Sequence, residues 1–386
     1  MNLSIKTSVK MSSVKSPLGV IEDSLIRMPK AVRDKSGYQT GSFLKLKSKD
    51  NKDIFLQVTH AYKNDTDVDP ESVYVSDSTY ELLAIAPISI VNPAEDILLG
   101  CDPEFFLIDK ETGRHISASH FFPHYGQIGS DLGLAELRPR PSMSVSELTN
   151  NLKHLIHETS NHLKQRIPYR NRDIKLIAAS ANNGVAAGFH VHFGIPDKLL
   201  DRSKESDIIL FKIVYLLDYY VGILSVLPEG SEDAYRRTAS YSLYGKPSDF
   251  RCNINTLEYR VPGGHLLRHP LLTAGLFALS KIAMKDIMSR MSQYTDGFKN
   301  ADKLKRYDAL KDMYHSVPER NDVYASIATQ NPTSALKHAT KIHDDFTKMI
   351  GYKENEPYVT AYFNYIIGLF ENNKKFTANM EENWRN

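Results

Sequence analysis

Ile97-Leu98-Leu99-Gly100-Cys101-Asp102-Pro103-Glu104-Phe105-Phe106-Leu107-Ile108 reads as one strongly apolar strand that carries two acids two residues apart. Side chains on a strand alternate faces, so Asp102 and Glu104 project together. Burying two like charges side by side is unfavourable unless a cation compensates them. The pair therefore points to a bound metal, against the plainer reading of a strand whose acids meet only water. Pro103 has no N–H to give to a ladder, which predicts a sheet edge or a strand end. Cys101 falls on the opposite face and reads as a core thiol, not a nucleophile.

The same two-residue spacing recurs three times downstream, in Ala135-Glu136-Leu137-Arg138-Pro139, Phe189-His190-Val191-His192-Phe193-Gly194 and Leu257-Glu258-Tyr259-Arg260. Each has a plain reading. A Glu-x-Arg pair is worth about 0–1 kcal/mol as an exposed ion pair, and two histidines can be hydrogen-bonded core residues. Together, the four pairs place acids, imidazoles and guanidiniums on strand faces within one region. Two imidazoles on one face of a buried strand need partners, and a metal or a phosphate would serve. No thiolates accompany them and carboxylates dominate, which favours Mg²⁺ or Mn²⁺ over zinc. Arg236, Arg237 and Arg251 precede the last motif and suit a transferring phosphoryl group, or else a solvated loop. No Walker-type, dinucleotide-type or nucleophile-elbow sequence occurs.

Outward from these motifs, residues 1–95 read as a β-rich accessory domain. Gly41–Leu46 and Ile54–Val58 alternate around an Asn51-Lys52 turn, Val73–Val75 is a short strand, and Ser78–Leu83 opens a helix. Asn64–Glu71 is a polar loop and Pro87–Pro93 a linker. Residues 96–291 are expected to form the catalytic domain. Its other elements are a His-rich hairpin region at Ile116–Ile128, strands at Gly133–Arg138 and Ile174–Ala179, and a turn at Asn182-Asn183-Gly184. Ser144 with Glu147 has the form of a capping box, opening an amphipathic helix. Buried helices are expected at 208–227 and from Leu266 to Met291, and residues 292–386 as a C-terminal helical region packed on the catalytic domain. The class is α+β, with a mostly antiparallel sheet and helices on one face.

The 386 residues are enough for two or three domains. A net charge of +2, from 48 basic and 46 acidic residues, predicts neither a nucleic-acid partner nor a membrane surface. The apolar Ile208–Leu227 stretch is interrupted by Lys212 and Asp218, which makes it a core helix rather than a span. Residues 1–50 carry ten Lys/Arg against four Asp/Glu. Glu22, Asp23 and Asp34 break that run, so a solvated N-terminus is preferred to a transit peptide. Cys101 and Cys252 make no disulfide framework, and the expected compartment is the cytoplasm.

In their order, acid-x-acid, Ala-Glu-Leu-Arg-Pro, Gly-Phe-His-Val-His-Phe-Gly and Leu-Glu-Tyr-Arg-Val-Pro resemble the carboxylate–amine ligases of the glutamine synthetase and γ-glutamylcysteine synthetase-like superfamily. The closest likeness is to the phage-type amidoligase branch, in which Asp-Pro-Glu-Phe replaces Glu-x-Glu. The resemblance spans residues 97–265 and implies a glutamine synthetase-like catalytic domain, with the host cytoplasm as compartment if the chain is phage-encoded. It implies an ATP-dependent ligase that forms an amide through an acyl phosphate with two Mg²⁺ or Mn²⁺ ions. Asp102, His190 and Glu258 would hold one metal, and Glu104 and Glu136 the other. His192 would contact a nucleotide phosphate. Arg260 would contact the transferring phosphate, helped by Arg251 and by Arg236 or Arg237. Asp131 is a candidate to complete the second metal site or to cap a turn. The substrates would be a small molecule or peptide bearing a carboxylate, and an amine, with no nucleic acid or membrane and with room for a homo-oligomer. A guanidino-kinase-like phosphotransferase, a metal hydrolase and a nucleotide- or metal-binding module without activity stand as alternatives.

Overall fold

The structure, a computed structural model, describes residues 4–7, 25–60, 72–83, 89–90, 95–166, 173–195, 204–238, 244–253, 255–292, 308–329, 333–372 and 375–385. The polar loop at 64–71 lies outside the described residues, as does the linker apart from Ser89–Ile90, which is a short strand.

The Leu99–Asp109 strand is the spine of an eight-stranded sheet. The main path runs Phe250–Asn253, Thr256–Tyr259, Phe189–Gly194, Leu99–Asp109, Leu134–Leu137, Ile128–Asp131. Every pairing is antiparallel. Ile174–Ile177 and His115–Ile116 pair with the far end of the spine, so the expected hairpin at Ile116–Ile128 is a short return strand followed by the 3₁₀ turn Ala118–His120. The fold is α+β with an antiparallel central sheet.

Pro103 corrects the sequence expectation. It lies inside the spine, opposite Phe189, not at an edge or an end. Backbone donors alternate sides along a strand. Glu104 N–H donates to Gly188 O at 2.8 Å, so the missing Pro103 donor would have pointed to the other side. There the pairing with Leu134–Leu137 reaches no further than Glu104. The proline interrupts no ladder.

Alternation sorts the sheet into two faces. Leu99, Cys101, Phe105, Leu107, Phe189, Val191, Phe193, Leu257 and Tyr259 point into the main core, which the helices Val145–Arg166, Lys204–Leu217 and Pro270–Ser292 complete. The first of these is capped by Ser144, whose Oγ accepts from Glu147 N–H at 3.3 Å. The Glu147 carboxylate accepts from Ser142 Oγ at 2.6 Å instead of closing the box. The Ile208–Val226 segment is long and apolar enough to cross a membrane, but 83% of its apolar window is buried inside the fold. A π-helical turn, Asp218–Gly222, interrupts it.

A second, six-stranded mixed sheet is built from residues 4–90 around Ile26, Leu44, Leu56 and Val73. It meets the central sheet at Phe43, which packs with Phe55 and Leu98, close to Gly194 at the end of the histidine strand. At the other extremity the Tyr352–Asn372 helix lies along Pro270–Ser292 and Trp384 is fully buried, its indole N–H donating to Leu267 O at 2.8 Å.

Candidate active site

The even-numbered face of the spine carries the acids, and strand register gathers the other motifs around them. His190 lies opposite Asp102, and His192 opposite Glu258. Arg251 lies opposite Glu258 on its other side, and Glu136 opposite Glu104. The i, i+2 pairs read from sequence thus become one row across five strands. Its acids and imidazoles are all buried.

One end of the row converges on a point. Asp102, His190 and Glu258 each offer a ligand atom within 4.8 Å of the other two, and among the described residues no other such group of three occurs. Asp102 Oδ1 lies 3.1 Å from His190 Nδ1 and 3.0 Å from His192 Nε2. Glu258 Oε1 lies 3.6 Å from His190 Nδ1. None of these approaches is aligned as a hydrogen bond. Asp102 Oδ1, His190 Nε2 and both His192 nitrogens are buried without a hydrogen-bond partner among the described residues. Buried polar atoms are normally satisfied, so a group of orphans around a carboxylate makes this the candidate binding point. An oxygen- and imidazole-lined site suits a divalent cation.

Two arginines already stand on Glu258. Arg251 Nη2 is 2.8 Å and Arg260 Nε 3.1 Å from Oε1. Arg260 is further held by Asp249 at 3.6 Å and lies 4.5 Å from the centre of the Tyr244 ring. Tyr244 also lies parallel to the His190 imidazole, with centroids 6.2 Å apart. Sequence reasoning missed Tyr244, because nothing in the sequence from Tyr235 to Arg251, which also holds Tyr241, says which ring returns over the strands.

The other end is closed by the protein's own donors. Glu136 is paired with the Arg138 guanidinium. Glu104 Oε2 accepts from Gly188 N–H at 2.7 Å. Gly188 has to be a glycine, since a Cβ there would come within 2.3 Å of His190 Nε2. Asp131 shares the face of Glu136, being paired in register with Leu134, but it does not form a three-ligand group with Glu104 and Glu136.

The charges follow this division. Burial would push Asp102 up, but the His192 and His190 imidazoles outweigh it and hold the carboxyl below the usual range. Burial would push His192 down, but Asp102 and then Glu258 raise it. At the closed end burial pushes Glu104 up in spite of His190 and the Gly188 N–H. Burial pushes Glu136 well up, and repulsion from Asp102 and Glu104 adds to it, more than Arg138 cancels.

The structure separates Arg236 from Arg237. Arg236 lies beside the row, where a Cβ on Gly188 would meet both its Nη2 and His190 Nε2, and it donates to Val261 O at 2.8 Å and Arg260 O at 2.7 Å, so it holds the backbone that carries Arg260. Burial draws it down to about 10. Arg237 points elsewhere, buried on Glu229, Ile327 O and Thr329 O. It is not brought to the row, which corrects its expected place at the phosphate.

Residues 99–317 match the family described as Phage phiEco32-like COOH.NH2 ligase-type 2. No curated protein sequence matches the chain. Solved structures match at low similarity. A bifunctional glutathione synthetase from Pasteurella multocida shares 13% identity over 74% of this chain and 53% of its own, with a TM-score of 0.33, so the chain spans about half of that protein. The ligase PafA, solved in complex with the prokaryotic ubiquitin-like protein Pup, shares 9% over 73% of this chain and 71% of its own, at 0.37. A glutamine synthase homolog shares 11% over 83% of both chains, at 0.33.

Proposed function

The chain belongs to the phage phiEco32-like COOH.NH2 ligase-type 2 family, and from that premise we propose that it joins a carboxylate to an amine with ATP as the driving co-substrate. The observation that carries the reading is the convergence of Asp102, His190 and Glu258, with orphaned polar atoms, beside Arg260 and Arg251.

In this reading Asp102, His190 and Glu258 hold one Mg²⁺ or Mn²⁺, and Glu104 and Glu136, whose carboxylates already have Gly188 N–H and Arg138 as partners, hold a second more weakly. Bound there, the metals would neutralise phosphate oxygens and favour attack of one anion on another. His192, next to Asp102 and raised in basicity, is assigned to a nucleotide phosphate. Arg260 and Arg251, both beside Glu258, are assigned to phosphate oxygens, where planar, multidentate donors suit a transferring phosphoryl group. The substrate carboxylate attacks the γ-phosphorus of ATP, forming an acyl phosphate and releasing ADP. The amine then attacks the acyl carbon, phosphate leaves, and a proton passes from the amine to a base. Residues 1–95 take an accessory role in this reading, 96–291 the chemistry, and 292–386 the bracing of the catalytic part.

The test is calorimetric titration of a non-hydrolysable ATP analogue with and without Mn²⁺. Binding that requires the metal is expected. A folded protein that binds neither metal nor analogue overturns the reading. Free phosphate released only when an acid and an amine are both present then separates a ligase from a phosphotransferase.

A further inference from the structure

Behind the row, on the core side of the sheet, sits a polar cluster, buried at Asp218 and Tyr259 and half-buried at Ser248 and Tyr324, that the proposed chemistry does not use. Asp218 is fully buried at the start of the π-helical turn. Its Oδ1 accepts from the Tyr259 hydroxyl at 2.8 Å and its Oδ2 from the Ser248 hydroxyl at 2.8 Å. Ser248 also meets the Tyr324 hydroxyl at 2.5 Å, which brings in the Arg320–Ile327 helix. Ser248 has φ = 62°, a left-handed conformation that serine adopts at a cost. Gly222 closes the π turn against Tyr259, and a Cβ there would sit 2.6 Å from the tyrosine hydroxyl. A π turn, a strained serine and a close-packed glycine all serve one carboxylate. Such features persist only where the surroundings over-determine them, and they concentrate at functional sites.

The position of the cluster says what it serves. Tyr259 stands between Glu258 and Arg260, on the opposite face of the same strand. Ser248 stands next to Asp249, whose O accepts from Arg260 N–H at 3.0 Å and whose carboxylate lies 3.6 Å from Arg260 Nη1. Asp249 also accepts from Gly245 N–H at 2.9 Å, one residue after Tyr244. Asp218 thus ties the strand before Arg260 to the loop that flanks it. We propose that Asp218, through Tyr259 and Ser248, is a positioning residue that sets the Arg260 guanidinium for a phosphate of the nucleotide. The inference rests on the ligase reading and adds a residue to it. Burial pushes Asp218 up to about 7 against the hydrogen bonds from Ser248 and Tyr259, so the latch is held by an acid whose charge is costly to keep there.

The test is a double-mutant cycle on the full-length protein, read by calorimetric binding of Mn²⁺ and then of the non-hydrolysable ATP analogue at saturating Mn²⁺. Tyr259→Phe removes one hydrogen bond to a charged acceptor, and analogue binding should weaken about tenfold. In an Arg260→Ala background the same change should have no further effect, because the latch acts through that arginine. Losses that add in the double variant would overturn the inference, since a role in general stability does not depend on Arg260. If Tyr259→Phe fails to fold, Ser248→Gly serves in its place, as glycine accepts the left-handed conformation while lacking the hydroxyl. The failure modes are distinct. A wild-type protein that does not bind the analogue sinks the ligase reading, whereas a wild type that binds with an additive cycle sinks only the latch.

Discussion

The two ends of the acidic row are built from similar residues and treated oppositely by the fold. At one end Asp102, His190 and Glu258 converge with several polar atoms unsatisfied. At the other, Glu136 is taken by Arg138 and Glu104 by the Gly188 N–H. Composition therefore does not decide where a cation is expected. What decides is whether the protein supplies its own donors. A carboxylate with an internal partner has little to gain from a metal, whereas an orphaned one in a buried site has a desolvation penalty still to be offset.

The most damaging change should be Glu258→Gln. It removes one of three converging ligands and the anchor of Arg251 and Arg260 together. Mn²⁺ affinity should fall by more than the roughly 10–100-fold that follows loss of an outer partner. Glu104→Gln should cost Mn²⁺ affinity far less, because that oxygen is already satisfied. Calorimetric titration of the two variants side by side checks this, and equal losses would erase the distinction between the ends.

A pH scan sharpens the same contrast. Glu136 has a folded-state pKa raised above its unfolded value, so the folded state binds its proton more tightly. Stability therefore falls as pH rises from the ordinary glutamate range toward that raised pKa, and is regained as pH falls back. Asp102 is lowered, so its contribution has the opposite sign, present above the ordinary aspartate range and lost as pH falls toward the lowered pKa. In thermal denaturation without metal, Glu136→Gln should flatten the loss of melting temperature as pH rises above the ordinary glutamate range. Asp102→Asn should leave that window largely alone. A Glu136→Gln profile parallel to wild type would show that the closed end is not held against its charge. The same variant should stop ADP release while remaining folded, and retained turnover would remove Glu136 from the chemistry.

What was legible in the sequence was local. The two-residue period put Asp102 with Glu104 and His190 with His192 on shared faces, because alternation is a property of a single strand. What was not legible needed the register between strands far apart in the chain. Pro103 looked like an edge residue until the partner on each side was known. Arg236 and Arg237 are neighbours on the short Tyr235–Thr238 helix, where successive side chains diverge by about 100°. Only one of them can face the row, and composition does not say which. Tyr244 and the Asp218–Tyr259 contact are meetings across the fold, with no periodic signal to announce them.

The gentlest comparison sets the two arginines on Glu258 against each other. The Arg251 side chain is 56% exposed and that of Arg260 14%, although both reach the same oxygen. An exposed ion pair is weakened by solvent screening, so Arg251→Ala should change the stability of the metal-free protein by less than about 1 kcal/mol. Arg260 also stacks on Tyr244 and pairs with Asp249, so its truncation removes more packing along with the charge. At saturating Mn²⁺, Arg251→Ala should weaken analogue binding less than Arg260→Ala does, and the gap should widen as salt is raised toward 1 M, where the screening length falls to about 3 Å and the exposed guanidinium loses most. If Arg251→Ala proves the more damaging, the exposed guanidinium is the one that meets the phosphate, and Arg260 serves mainly to hold Glu258 in place.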